Sequence, residues 1–274
     1  MSQHPYSLAA LTVLELSPPE MVETAARAGY DYVGLRPTPA TPEEPSFPLL
    51  TDAALLRETR RRIQDTGVRV ADIEILRLKP ETRVRDDFSR FVEVGAELGA
   101  SDILVAGNDD DHARLIDNFA ALCELAAPHD LHPHLEFMPW TGVRNLTEAR
   151  QIVGAVRKGG HANACLLVDA FHLDRSGSRL EELARVPADW MRYVQLCDVP
   201  GPIPTSMEEV IREARCERRF PGDGQADLKG LLAVIPPRVP LSLEIPTDVL
   251  RRQGIGALER ARMALEKARA LVGD

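Results

Sequence analysis

The sequence predicts a single (β/α)8 TIM barrel of the α/β class. Three observations carry this reading. Short apolar runs alternate with longer amphipathic stretches along the whole chain. There are eight such short runs, and most are rich in Val, Ile and Leu, as strands buried on both faces should be. The length of 274 residues is close to the ~250 of one such barrel. An open doubly wound sheet uses the same alternation, but its GxGxxG turn after the first strand is absent. The first run leads instead into Glu15-Leu16-Ser17-Pro18-Pro19.

The elements follow in order. Strands are predicted at Leu8–Leu14, Tyr32–Leu35, Val68–Leu76, Ile103–Ala106, His134–Phe137, Cys165–Val168, Tyr193–Leu196 and Leu241–Ile245. Helical patterns fill the gaps. Pro19–Ala28 follows Ser17 and Pro18, a capping residue with proline in the first turn. Asp52–Thr66 stops at Gly67 and Arg85–Leu98 at Gly99, the residue type expected just past a helix. His112–Ala127, Thr147–Val156, a short Ser178–Ala184, Asp227–Val234 and Ala257–Leu271 complete the series. Strands spaced by roughly 25 to 50 residues fit repeated right-handed βα units, which can close on themselves. One domain over residues 1–274 is expected, with an inserted loop at about 200–227.

Two segments leave this rhythm. Pro37–Pro48 holds prolines at 37, 39, 42, 45 and 48, which excludes a helix or central strand. Pro200–Asp227 carries a helical piece, Met207–Ala214, then Phe220-Pro221-Gly222-Asp223-Gly224. Both follow a predicted strand, and in a barrel such loops gather on the face that carries active sites.

Composition narrows the function. The formal net charge is −9, which repels a phosphate backbone, and no broad basic patch offsets it. Arg57 to Arg62 reads as a solvated helix face. Cys123, Cys165, Cys197 and Cys216 form no CxxC pair, so neither a structural zinc site nor a disulfide framework is expected. Met1 to Tyr6 lacks a leader pattern, and no apolar run approaches the ~20 residues of a membrane span. A cytoplasmic protein acting on a small molecule is expected, with no nucleic acid or membrane partner; self-association stays open.

Polar residues at the ends of apolar strands carry the chemistry. The fifth strand reads Leu135-Glu136-Phe137-Met138, the sixth Leu166-Leu167-Val168-Asp169 with His172 beyond, the seventh Tyr193-Val194-Gln195-Leu196 and the eighth Leu241-Ser242-Leu243-Glu244. Three carboxylates aimed into one apolar pocket repel one another, so they take up protons or bind a cation. One divalent metal ion held by Glu136, Asp169, Gln195 and Glu244 resolves the conflict. Oxygen ligands favour Mg²⁺ or Mn²⁺. Three negative ligands against two positive charges call for a cationic substrate-binding group, with Arg36 and Arg77 as candidates. His134 faces the same side of its strand as Glu136; His129 and His132 are read as exposed.

The order of these motifs resembles the xylose-isomerase-like barrel superfamily. The matching stretches are Leu135-Glu136-Phe137, Val168-Asp169-Ala170-Phe171-His172, Val194-Gln195-Leu196-Cys197-Asp198, Phe220-Pro221-Gly222-Asp223-Gly224 and Leu243-Glu244-Ile245. The resemblance implies that Glu136, Asp169, Gln195 and Glu244 bind the metal and that His172 lies near the substrate. It also implies catalysis by Glu136, Glu244 and His172 on a small polyhydroxylated substrate. The first reading is an isomerase or epimerase working through an enediolate. The second is a dehydratase of the 3-dehydroshikimate or inosose type, favoured by Gln195 where many isomerases have His. A third is a non-catalytic sugar-binding barrel. Arg36, Glu74, Arg77, Asn108, Trp140 and Arg218, near strand ends or in the insert, are the candidate substrate contacts.

Overall fold

A computed structural model describes residues 4–273. Met1 to Gln3, half of the segment read above for a leader, lie outside the described residues. Eight strands, β1 (Tyr6–Leu8), β2 (Tyr32–Leu35), β3 (Arg69–Leu78), β4 (Asp102–Gly107), β5 (His132–Glu136), β6 (Cys165–Asp169), β7 (Val194–Leu196) and β8 (Leu241–Leu243), close into a barrel in chain order. Every neighbouring pair is parallel, and β8 returns to β1 with Ser7 opposite Ser242. The helices of the first half are α1 (Pro18–Ala28), α2 (Ala53–Thr66), α3 (Val84–Leu98), α4 (His112–Ala126) and α5 (Leu146–Lys158). The second half holds α6 (Ala170–Arg175), α7 (Leu180–Leu183), α8 (Met207–Cys216), α9 (Leu228–Val234), α10 (Asp248–Arg252) and α11 (Ala257–Val272).

Local chemistry sets the helix ends. Ser17 and Glu20 form a reciprocal capping box on α1. Asp52, Asp111 and Asn145 accept backbone N–H bonds at the starts of α2, α4 and α5. Gly67 and Gly99 close α2 and α3 with positive φ, the role predicted for them. No helix among the described residues is long and apolar enough to cross a membrane.

The first strand departs from expectation. The apolar run Leu8–Leu14 is not one strand: β1 ends at Leu8, and Ala10–Val13 forms a single 3-10 turn. Thr12 explains the break. Its Oγ1 donates to the Leu243 carbonyl at 2.7 Å and accepts from the Ile245 N–H at 2.8 Å, stitching this turn to the end of β8. His132 is half-buried rather than exposed, with Nδ1 3.3 Å from the Ser101 carbonyl, whereas His129 is exposed.

Strand periodicity divides the side chains into two populations. Val33, Leu35, Leu135, Leu166, Val168, Val194, Leu196, Leu241 and Leu243 face the helices and join one continuous apolar core with residues such as Phe91, Phe119 and Leu265. The alternate positions face the barrel axis. There the apolar cluster shrinks to Leu104, Leu167 and Tyr193 with Ile75 against them, and much of the rest is polar: Ser7, Asp72, Glu74, His134, Glu136, Gln195, Ser242 and Glu244, all buried. A register shift in β3 between Ile73 and Leu76 leaves both of those residues in the outer core and turns Glu74 and Ile75 inward.

Candidate functional site

The inward polar residues at the carboxyl ends of β5 to β8 build the site. Glu136 ends β5 and Asp169 ends β6. Asp169 also caps α6: its Oδ1 accepts from the N–H groups of Phe171 and His172 at 2.6 and 3.1 Å. That cap fixes the first turn of α6 and carries His172 over the barrel, with Nε2 3.7 Å from Glu136 Oε1. Ligand atoms of Glu136, Asp169 and His172 all lie within 4.8 Å of one another, and all three residues are buried.

Gln195 and Glu244 form the second half. Gln195 Nε2 donates to Glu244 Oε1 at 3.0 Å. Arg218 joins the halves, with Nη1 2.6 Å from Asp169 Oδ2 and Nη2 2.9 Å from Glu244 Oε2. Two of the four predicted metal ligands, Asp169 and Glu244, thus pair with one buried guanidinium. Two oxygens in this group, Glu136 Oε1 and Gln195 Oε1, are buried and accept no hydrogen bond. Acceptor oxygens without donors in a dry site are what a cation satisfies, so the residues fit a divalent ion. His172, read from the sequence as a catalytic residue near the substrate and not as a metal ligand, stands beside this set by geometry.

Electrostatics follow from this crowding. Burial, then the charges of Asp169 and Glu244, push Glu136 well above the carboxylate range. Burial pushes Glu244 up to about 8 against the pull of Arg218. Burial acts the same way on Asp169, but Arg218 and His172 outweigh it and hold this carboxyl low. Burial lowers His172 to about 4, opposed by Asp169 and aided by Arg218, which keeps its imidazole neutral. A divalent ion would draw the protons off both glutamates.

The other predicted contacts lie around the same cleft. Arg36 points inward from the end of β2, donating to Glu74 Oε1 at 2.8 and 3.1 Å and to Glu44 Oε2 at 3.0 Å. Glu44 belongs to the proline-rich segment, which thereby becomes part of the cleft wall. Glu74 is fully buried behind Arg36. Arg77 lines the cleft and donates to Asn108 Oδ1 at 3.3 Å. Trp140 also lines it and packs edge-on to His172 with ring centres 5.1 Å apart. His134 lies deeper, bonded through Nε2 to Asp102 Oδ1 at 2.8 Å.

Sequence reasoning missed what delivers Arg218. Asp198, just past β7, accepts four backbone N–H bonds: Val199 and Ala226 on Oδ1 at 2.9 Å, Gly222 and Gly224 on Oδ2 at 3.0 Å. Gly224 sits so close that a Cβ there would lie 2.4 Å from Asp198 Oδ1. Asp198 also pairs backbone to backbone with Arg219, at 2.8 and 2.9 Å. The insert is therefore tied down at its far end, one residue from Arg218. A buried pair, Arg175 with Glu213 at 2.9 Å, pins α8 to α6. The only sequence signal was a carboxylate leaving a strand with a glycine-rich turn downstream.

Comparisons with known proteins agree with the architecture. The family described as xylose isomerase-like TIM barrel matches residues 22–271. A 3-dehydroshikimate dehydratase of Pseudomonas putida is 29% identical over 247 residues, 85% of this chain and 36% of the relative. The enzyme of that name from Pseudomonas aeruginosa is 30% identical over 247 residues, 85% of this chain and 37% of the relative. The chain thus spans about a third of the length of these curated relatives. Among solved structures, a xylose isomerase-like TIM barrel/4-hydroxyphenylpyruvate dioxygenase fusion protein superposes with a TM-score of 0.82 and 26% identity, over 98% of this chain and 43% of that one. The IOLI protein with a bound zinc atom gives 0.80 and 21% over 98% of each chain, a likeness of fold alone.

Proposed function

The chain belongs to the xylose isomerase-like TIM barrel family, and we propose that it is a metal-dependent lyase that removes water from a cyclic hydroxy-ketone of the 3-dehydroshikimate kind. The observation that carries the choice is its similarity to two 3-dehydroshikimate dehydratases across 85% of its length. The amide at Gln195, where many isomerases of the family place histidine, supports the same choice.

Glu136, Asp169, Gln195 and Glu244 would hold the ion, which leaves the His172 imidazole free to carry a proton. The oxygen-rich set favours Mg²⁺ or Mn²⁺. When bound, a divalent ion lowers the energy of the enolate that forms once a proton leaves the carbon beside the carbonyl. The protein supplies the proton traffic. Glu136 or Glu244 takes the proton from that carbon. The carbon–oxygen bond at the next position then breaks, and a carbon–carbon double bond forms. His172, neutral and 3.7 Å from Glu136, can receive the proton from this carboxyl and pass it to the departing hydroxyl, which leaves as water. Trp140 covers one side of the ring and Arg36 orders the wall beneath it.

The test is product analysis with the metal-loaded protein and 3-dehydroshikimate. Loss of one water gives 3,4-dihydroxybenzoate, read by its new ultraviolet absorption and a mass lower by one water. A product of unchanged mass would return the assignment to the isomerase and epimerase reading. Full activity after chelation would remove the metal from the account.

A further inference from the structure

Below the cleft, the barrel axis is lined by a second set of polar side chains. Asp72, Tyr193 and Ser242 each stand two residues before an inward residue of the site, Glu74, Gln195 and Glu244, and so on the same face of their strands. Ser7 of β1, the register partner of Ser242, faces the same space. These four residues are at most 1% exposed. Each aims an oxygen without a hydrogen-bond partner into the barrel floor: Ser7 Oγ, Asp72 Oδ1, Tyr193 Oη and Ser242 Oγ. His134, on β5 between them, is engaged elsewhere, with Nε2 2.8 Å from Asp102 Oδ1.

Asp72 is the unusual member. Glu74 meets Arg36, Asp102 meets His134 and Arg192, and Asp169 and Glu244 meet Arg218. Among the described residues, no cation comes within ion-pair distance of Asp72, and its Oδ1 accepts no hydrogen bond. Gly34 gives this carboxylate its place. A Cβ there would lie 3.0 and 3.3 Å from the two Asp72 oxygens, so the group lies across the bare backbone of β2, on the side toward β1 and Ser7. Burial, then the charges of Glu74, Asp102 and Glu244, push Asp72 well above the carboxylate range. After burial, Asp72 is the charge that most raises the Tyr193 hydroxyl, which marks the two as neighbours.

We propose that Ser7, Asp72, Tyr193 and Ser242 hold a monovalent alkali cation, sodium or potassium, in the barrel floor beneath the divalent-ion site. Three neutral oxygens and one anionic oxygen suit a hard cation of single charge. A second divalent ion would leave excess positive charge in a dry place. Water would satisfy the hydroxyls and leave the carboxylate charge unbalanced. The ion ties β1, β3, β7 and β8 together under Glu74, Gln195 and Glu244, whatever reaction the cleft carries out.

Thermal melting of the Mn²⁺-loaded protein in sodium, potassium and choline chloride, at equal ionic strength, tests the site. Sodium or potassium should raise the midpoint saturably, by about 2–5 °C over choline. Asp72→Asn should lose this salt-specific rise. Ser7→Ala/Ser242→Ala, which keeps the carboxylate, should need a several-fold higher concentration to reach it. Equal midpoints in the three salts would mean that Asp72 holds a proton instead, and would overturn the site. An undiminished rise in Asp72→Asn would place the cation elsewhere and overturn it too. Should Asp72→Asn fail to fold, the paired serine variant decides, and an unchanged half-saturation there would refute the proposal.

Discussion

The layer between strands and helices and the space inside the barrel are built from alternate residues of the same eight strands, yet they do opposite work. The outer layer is one continuous apolar core, whose stability scales with area removed from water. The inner space, which in barrels of this kind is usually filled with bulky branched residues, is here lined by Glu74, Glu136, Gln195, Glu244, Asp72 and His134, with a small apolar plug. Several of its polar atoms, among them Asp72 Oδ1, Tyr193 Oη and Ser242 Oγ, are buried without a hydrogen-bond partner. One face of each strand holds the fold together; the other holds charge in place for use.

Paired substitutions test that division most strongly. Glu136→Gln, on the inner face, should lower turnover by about a thousand-fold or more with little change in unfolding free energy. Phe119→Ala, in the outer core and fully buried, should cost about 3–5 kcal/mol in urea unfolding while the folded fraction stays active. A reversal of the two effects would break the comparison.

The insert sharpens it next. Asp198→Ala removes the acceptor of four N–H groups and should free the turn beside Arg218. Turnover should fall by about ten- to a hundred-fold, with a stability loss of about 2 kcal/mol. Asp198→Asn, which keeps one acceptor oxygen, should recover part of both. Unchanged turnover in Asp198→Ala would show that Arg218 holds its place without the clamp.

The smallest effect concerns pH. Burial opposes a charge on His134, but Cys165 and Asp102 outweigh it and raise His134 to about 9. A histidine raised above its unfolded value near 6.5 contributes stability below pH 6.5 and loses it as pH climbs through 9. Stability should therefore decline between those values by on the order of 1–3 kcal/mol, measured by urea unfolding. A matching decline in His134→Gln would place the titration elsewhere.

Much of this division was legible in the sequence, because a carboxylate or amide interrupting a Val-Ile-Leu run has no place in an outer core. That is how Glu136, Asp169, Gln195 and Glu244 stood out. His172 was legible because it follows Asp169 by three residues where a strand exits; the structure adds that Asp169 caps the short helix carrying it. Other features depend on contacts far apart in the chain. Arg218 meets Asp169 from 49 residues away, and nothing near Arg218 distinguishes it from Arg219 until the Asp198 clamp is seen. The first strand misled because a continuous apolar run suits a strand and a buried turn equally; only the partners of Thr12 decide between them.

Soaking crystals of the protein in Mn²⁺ and recording anomalous scattering tests the central claim most directly. The account expects one strong peak bonded to Glu136 and Asp169, with the rest of the protein shell drawn from Gln195 and Glu244. A saturating soak that leaves no peak among these side chains, or puts the ion only on surface carboxylates, would contradict it.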